Sequence, residues 1–111
     1  MIARLWSART TPQNWPVYKE HFTNNVLPEL RSIDGYVSVN LLIRRVESMI
    51  EITVITFWRS FEAIDAFAKP DREASVVAPI AAALLLDFDR RVRHYDLAVT
   101  DLPSTGPADR P

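Results

Sequence analysis

Two neighbouring segments that are apolar on both faces constrain the fold of this chain most. Residues 36–46 and 50–59 are rich in aliphatic and β-branched side chains, and a short link at Glu47 and Ser48 separates them, which predicts a β-hairpin. In the second segment one face carries Ile52, Val54, Thr56 and Trp58, and the other carries Ile55 and Phe57. A sheet covered on one side alternates apolar and polar residues. We therefore expect helices on one face and a second subunit on the other.

The segments around this hairpin predict the order β-α-β-β-α-β. A strand over residues 2–9 precedes an amphipathic helix whose apolar stripe is interrupted at Pro28. Ser60 is placed to cap the second helix, residues 74–86 predict a short helical piece broken at Pro79, and residues 91–99 predict the last strand. This is the ferredoxin-like α+β arrangement, a four-stranded antiparallel sheet with both helices on one face.

The chain length and the polar end of the sequence indicate one domain with a tail. A chain of 111 residues is an ordinary single domain. We assign the domain to residues 1–99, and we expect residues 100–111, which are polar and rich in proline, to be flexible. Because the longest apolar run is far shorter than the ~20 residues that cross a bilayer, we expect no membrane partner and a cytoplasmic location.

Residue counts exclude several classes of site. The chain has no cysteine, two glycines and two histidines, so thiol chemistry, a dinucleotide-binding glycine motif and a three-histidine metal site are excluded. The formal net charge is −1, which gives no basic field for nucleic acid. We accordingly expect neither a metal nor a nucleic-acid partner.

Residues 44–68, RRVESMIEITVITFWRSFEAIDAFA, resemble the hairpin and second helix of the dimeric α+β barrel superfamily. The resemblance is closest to the antibiotic-biosynthesis-monooxygenase-like proteins. The opening residues 2–6 and the segments 85–88 and 92–97 resemble the first strand and the end of the same family. The resemblance implies a homodimer and an oxygenation that needs no cofactor, acting on a small apolar or aromatic molecule held between the helices and the sheet.

A haem-degrading branch of the same superfamily is not favoured by this sequence. That branch uses an Asn on the first strand, a Trp in the second helix and a His further along. Here the first strand has no Asn, Phe67 stands at the Trp position, and Val77 stands where the His would fall.

Three residues are candidates for catalytic roles. His94, the one group near neutrality in a predicted core element, is a candidate proton acceptor, or else a structural histidine at the sheet edge or dimer seam. Arg4 on the first strand could hold a ligand carboxylate or enolate, although an ion pair with a carboxylate such as Asp96 is the favoured alternative. Asn40 interrupts an apolar strand and could orient a substrate carbonyl or dioxygen, or pair across the dimer.

Aromatic side chains are the candidates for binding the substrate. Trp58 ends a central strand at the mouth of the expected cavity, where it could stack an aromatic ligand or else belong to the core, which is favoured; Trp6 and Phe67 could line the cavity. Tyr18 is expected near the cavity rim, whereas His21 either borders the cavity or faces solvent, and solvent is the favoured alternative.

The sequence therefore leaves three functions open. The first is a cofactor-independent monooxygenase-like enzyme. The second is a non-catalytic ligand-binding or stress-associated homodimer of the same fold, and the third is a structural dimer with a filled core. A cavity holding a polar catalytic group favours the first, an aliphatic cavity favours the second, and the lack of any cavity favours the third.

Overall fold

An antiparallel β-sheet organises the fold in the computed structural model, which describes residues 1–102. Its strands are β1 (Ile2–Thr10), β2 (Tyr36–Val46), β3 (Met49–Trp58), β4 (Leu85–Phe88) and β5 (Arg93–Asp96). They are ordered β2-β3-β1-β4, and β5 also pairs with β1. This topology confirms the predicted ferredoxin-like α+β class. The predicted tail falls largely on residues 103–111, outside the described part of the chain.

The fourth position of the sheet is occupied by two short strands instead of the one predicted. β4 pairs with residues 8–10 of β1, and β5 pairs with residues 2–5. Between them Asp89 takes over the pairing with Ser7: its amide donates to the Ser7 carbonyl at 2.9 Å, and its Oδ2 accepts from the Ser7 amide at 3.1 Å. A side chain thus replaces a backbone carbonyl, which breaks the strand in two.

A β-bulge changes which face the start of β2 presents. Tyr36 lies opposite Trp58 and Ser38 lies opposite Phe57, so one extra residue is inserted between the two pairs. Strict alternation would have put Tyr36 on the same face as Ser38. The inserted residue moves Tyr36 to the helix-covered face, where it meets Trp58 edge-on at a centroid separation of 5.6 Å.

The first helical region is continuous but changes its type before Pro28. It consists of α1 (Trp15–His21), a π-helical turn (Phe22–Val26) and α2 (Leu27–Arg31). The Leu27 amide donates to the Phe22 carbonyl five residues back. Proline has no amide hydrogen and its ring crowds the preceding turn, so the wider π turn accommodates Pro28 without ending the helix.

The second helical region is shorter than predicted. α3 (Phe61–Phe67) begins as expected at Ser60, whose Oγ accepts from the Ala63 amide at 3.2 Å. Of the short helical piece predicted over residues 74–86 with a break at Pro79, only α4 (Pro79–Ala82) is helical, so the predicted extent is wrong. Ala78 is extended, as a residue before proline prefers. Residues 85–88 pair with β1 as β4 instead.

The helices cover one face of the sheet and leave the other without a helix. Along β3 the helix-side residues Ile50, Ile52, Val54, Thr56 and Trp58 are buried, and the alternate residues are half-buried. The helix-free face carries Ile55 and Phe57 beside Leu42, which is 50% exposed. Within residues 1–102 no helix has the length and hydropathy needed to cross a membrane.

Candidate functional site

A cavity of about 380 Å³ lies between the first helical region and the sheet. Its volume falls within the ~300–1,000 Å³ typical of small-molecule sites. Strands β1 and β3 contribute Arg4, Trp6, Val54 and Thr56, and residues 76–81 close one side. The helical region contributes Tyr18, His21, Phe22, Asn25, Val26, Glu29 and Leu30. The lining is therefore mainly apolar and aromatic, with a few polar groups inside it.

Arg4 is the cationic group of this cavity. It is only 4% exposed, and its guanidinium donates to the carbonyls of Arg72 at 2.5 Å and Ala74 at 2.8 Å. In the described residues no carboxylate lies within 4 Å of it, so the favoured ion pair with Asp96 is wrong. Burial lowers the pKa of Arg4 to about 10, which keeps the side chain cationic at neutral pH.

His94 lies behind Arg4 on the neighbouring strand β5. The two residues are directly opposite in the β1–β5 register, and the Nε2 of His94 is 3.3 Å from Nη1 of Arg4. Because guanidinium can only donate, Nε2 accepts and the ring proton sits on Nδ1. Burial and the Arg4 charge lower the pKa of His94. The imidazole lies outside the lining of this cavity and instead lines a second, more open depression next to Phe61.

Tyr18 places a buried phenol in the cavity wall. The residue is 4% exposed, and burial raises the pKa of its hydroxyl to about 12. Within the described part of the chain its hydroxyl makes no hydrogen bond to protein. The group is therefore a neutral donor that is available to a ligand.

Trp6 and Phe67 line the cavity. The Trp6 Nε1 donates to the Asp89 carbonyl at 3.0 Å, which satisfies the polar edge of the ring. The Phe67 ring lies 5.7 Å from the Arg4 guanidinium carbon, a cation–π distance. These two aromatic rings give the cavity flat apolar surface next to its charge.

Trp58 and Asn40 lie outside this lining. Trp58 is fully buried, packs against Phe67 with a ring-centroid separation of 5.6 Å, and donates from Nε1 to Thr56 Oγ1 at 2.8 Å. It supports two lining residues without reaching the cavity. Asn40 is exposed on β2, opposite Ile55 on the helix-free face of the sheet.

Sequence reasoning missed a polar group at the helical side of the cavity. His21, expected to face solvent, lines the cavity together with Asn25 and Glu29. The His21 Nδ1 lies 3.0 Å from the Asn25 Nδ2. The sequence could have indicated this shared position, because the three residues are spaced four apart along the helical region that carries Tyr18.

The fold of the chain is shared with several solved structures of low sequence identity. An assigned antibiotic biosynthesis monooxygenase from Bacillus cereus aligns with a TM-score of 0.66 and 15% identity over 95% of this chain and 98% of that chain. A variant of MhuD with two manganese protoporphyrin IX groups per active site aligns at 0.64 and 18%, over 94% and 100%. The chain has the fold of the antibiotic-biosynthesis-monooxygenase-like proteins.

A third structure of this fold holds an organic ligand. It is the monooxygenase from the ActVA-Orf6 gene of Streptomyces coelicolor in complex with Nanaomycin D, with a TM-score of 0.60 and 15% identity over 93% of this chain and 92% of that chain. No family model matches the sequence, and no curated protein matches it either.

Proposed function

We propose that this protein is a monooxygenase-like enzyme that binds a small aromatic molecule between its helices and sheet. The observation that carries the proposal is the cavity itself, which combines the aromatic rings of Trp6 and Phe67 with the buried donors of Arg4 and Tyr18. A structural dimer with a filled core would have no such cavity, and a protein that only encloses an apolar ligand would need no buried cation. Support also comes from the fold, which is that of assigned monooxygenases.

The reaction that fits such a cavity is oxygenation in which the substrate supplies the electrons. An anthrone-type CH₂ group gives a proton to a base in the solvent and becomes an enolate, which transfers an electron to dioxygen. The carbon radical and superoxide combine to a peroxide anion, which takes a proton back from the solvent to give a hydroperoxide, and loss of water leaves a ketone. Four electrons leave the carbon, one oxygen atom enters the product, and the other leaves as water. The protein's part is to exclude water and to stabilise the enolate oxygen.

The geometry favours a positioning role for His94 over the predicted role of proton acceptor. Its Nε2 lone pair is engaged by Arg4, and its ring lies outside the cavity lining. His94 therefore fixes the guanidinium from behind. Asn40 has no role in this proposal, because it lies on the opposite face of the sheet.

Oxygen uptake tests the proposal directly. With anthrone and a metal chelator, the protein is expected to consume one O₂ per anthraquinone formed, faster than buffer. Two adjacent α4 residues supply matched variants: Ala81 lines the cavity, whereas Ile80 is 63% exposed. Ala81→Trp is expected to abolish the enhancement and Ile80→Trp to retain it. Uptake at the buffer rate with the unmodified protein would contradict the enzymatic proposal.

A binding protein without turnover is the second candidate. The observation that favours it is the engagement of the His94 lone pair, since it removes the nearest histidine to Arg4 from acid–base work. Anthrone binding that is lost in Ala81→Trp, without any oxygen uptake, would identify this function.

We further propose that the helix-free face of the sheet pairs with a second copy of the chain. It carries the apolar side chains of Phe57, Ile55 and Leu42, which are exposed or half-buried in one subunit. One end carries a row of alternating charges made of Arg44, Glu51, Arg9 and Asp87. Two positive and two negative groups balance, so the same row on a partner related by a two-fold axis meets complementary charge.

A further inference from the structure

We infer that the cavity is selective for planar aromatic anions, molecules whose ionised oxygen binds to Arg4. The ligand class is an aromatic carboxylate or an aromatic enolate or phenolate, which share a delocalised negative oxygen. The inference rests on the proposed function and adds to it a charge requirement. It follows from the hydrogen bonds that the buried side chain of Arg4 makes and from those that it leaves unmade.

The guanidinium of Arg4 has donors left over. It has five N–H groups. In residues 1–102 its contacts engage Nη1 with the Arg72 carbonyl and His94, and Nη2 with the Ala74 carbonyl. The Nε–H and one Nη2–H have no acceptor among these residues. Buried donors are normally satisfied, so an acceptor from outside the chain is indicated.

The charge of Arg4 is also uncompensated. A buried cation normally has a nearby anion, because removing the charge from water is costly. The groups around this guanidinium are two backbone carbonyls and a neutral imidazole. Glu29, an exposed acid, also lines the cavity but forms no ion pair with Arg4. A ligand oxygen would therefore supply both the missing charge and the missing acceptor.

The other walls determine the shape of the anion. Phe67 lies against the guanidinium and Trp6 lines the same cavity, so the space beside the charge is flat and apolar. Tyr18 offers one further neutral donor from the helical wall. This combination selects an aromatic ring system with its oxygen at the Arg4 end, and it disfavours a small inorganic anion, which would leave the apolar walls unfilled.

Two pairs of probes that differ in charge test the inference by calorimetric titration at pH 7. The carboxylate pair is 2-naphthoate and 2-naphthamide. The enolate pair is 2-hydroxy-1,4-naphthoquinone, ionised at this pH, and its methyl ether. The anion of at least one pair is expected to bind about 10- to 100-fold tighter than its neutral partner, the range for a hydrogen bond to a charged group. The pair with the larger ratio identifies the source of the oxygen.

Variants identify the residue responsible. Arg4→Gln is expected to bring the anion-to-neutral ratio close to one, and Arg4→Lys to retain part of it. Arg59→Gln removes the same charge from an exposed position outside the cavity, and the ratio is expected to persist. Because Arg4 also holds residues 72–74, circular dichroism and thermal melts check that each variant is folded. The ratio measured on the unmodified protein does not depend on any variant.

Three results are distinguishable. A large ratio that Arg4→Gln removes supports the inference. Equal binding of charged and neutral probes to the unmodified protein, or a ratio unchanged in folded Arg4→Gln, overturns the inference while leaving the proposed binding function intact. No binding of any of the four probes overturns both.

Discussion

At the scale of single residues, Arg4 and Tyr18 distinguish this cavity from an apolar void. Both side chains are buried, and both have donors without an acceptor in the described chain. The sequence pattern placed Arg4 on the first strand, but it could not predict which groups the guanidinium contacts. The sequence suggested Asp96, whereas the carbonyls of Arg72 and Ala74 arrive from a distant irregular segment that has no periodic signal.

Tyr18→Phe tests whether that phenol serves a ligand. Removing a buried hydroxyl that has no protein partner is expected to leave the melting temperature unchanged or raised, while weakening the preferred naphthalene probe several-fold. Tyr36→Phe, on a ring outside the cavity lining, is the matched control and is expected to bind the probe normally. A loss of stability near 1 kcal/mol or more in Tyr18→Phe would indicate that the hydroxyl is already bonded within the protein.

His94 predicts a specific pH dependence of stability. Its folded-state pKa is lowered by burial and by Arg4. The unfolded chain therefore binds the proton more readily than the folded protein does. The contribution of His94 to the free energy of unfolding is consequently lost as the pH falls below the ordinary histidine pKa near 6.5. Urea unfolding between pH 5 and 8 is expected to show this decline.

Two substitutions of His94 separate the charge from the hydrogen bond. His94→Gln keeps an acceptor for Arg4 and is expected to flatten the decline while keeping stability at pH 8. His94→Leu also removes the acceptor, so it is expected to be less stable at pH 8. An unchanged pH profile in His94→Gln would show that this histidine is not linked to folding.

At the scale of elements, sequence features that act within one helical turn predicted the structure correctly, whereas features that depend on distant pairing did not. Ser60 starts α3 and Pro28 changes the helix type, because both effects arise within one turn of the residue. The apolar run after Ala74 matched a helix as well as a strand, and only pairing with β1 decides for β4. The bulge at the start of β2 and the turn of His21 into the cavity likewise depend on partners distant in sequence.

Gly35 links two elements and supplies a stability prediction. Its φ of +96° requires glycine, and an added Cβ would lie 2.6 Å from the Ala63 Cβ on α3. Gly35→Ala is therefore expected to destabilise the fold by more than about 1 kcal/mol, from backbone strain and the clash together. In Gly35→Ala with Ala63→Gly the clash disappears, so denaturant titrations are expected to give a total loss smaller than the sum of the singles. Strict additivity would contradict the close approach.

At the scale of the whole molecule, the apolar pattern on both faces of the hairpin is the feature from which the sequence anticipated the fold. One face became the helix-covered core, and the other carries Leu42, Ile55 and Phe57 without a cover in one chain. Sequence periodicity reveals that both faces are apolar, but it does not reveal an unfilled volume, which depends on how far the helices stand from the sheet. The cavity was consequently an expectation from resemblance alone.

The helix-free face predicts a dimer in solution. Sedimentation velocity at micromolar concentration is expected to give twice the mass of one chain. Leu42→Glu, on the edge strand β2 of that face, is expected to shift the protein toward monomer, whereas Ile80→Glu on exposed α4 leaves the dimer intact. A monomeric unmodified protein, or equal effects of the two substitutions, would contradict this assembly.

If the space between the helices and the sheet is a binding site for an aromatic anion, a crystal structure of the complex with 2-hydroxy-1,4-naphthoquinone will show it directly. The bicyclic ring is expected beside Trp6 and Phe67, with its ionised oxygen within hydrogen-bonding distance of the Arg4 guanidinium, about 2.7–3.2 Å. An empty cavity at saturating ligand, or a ligand bound inside it with its oxygen turned away from Arg4, would contradict the claim.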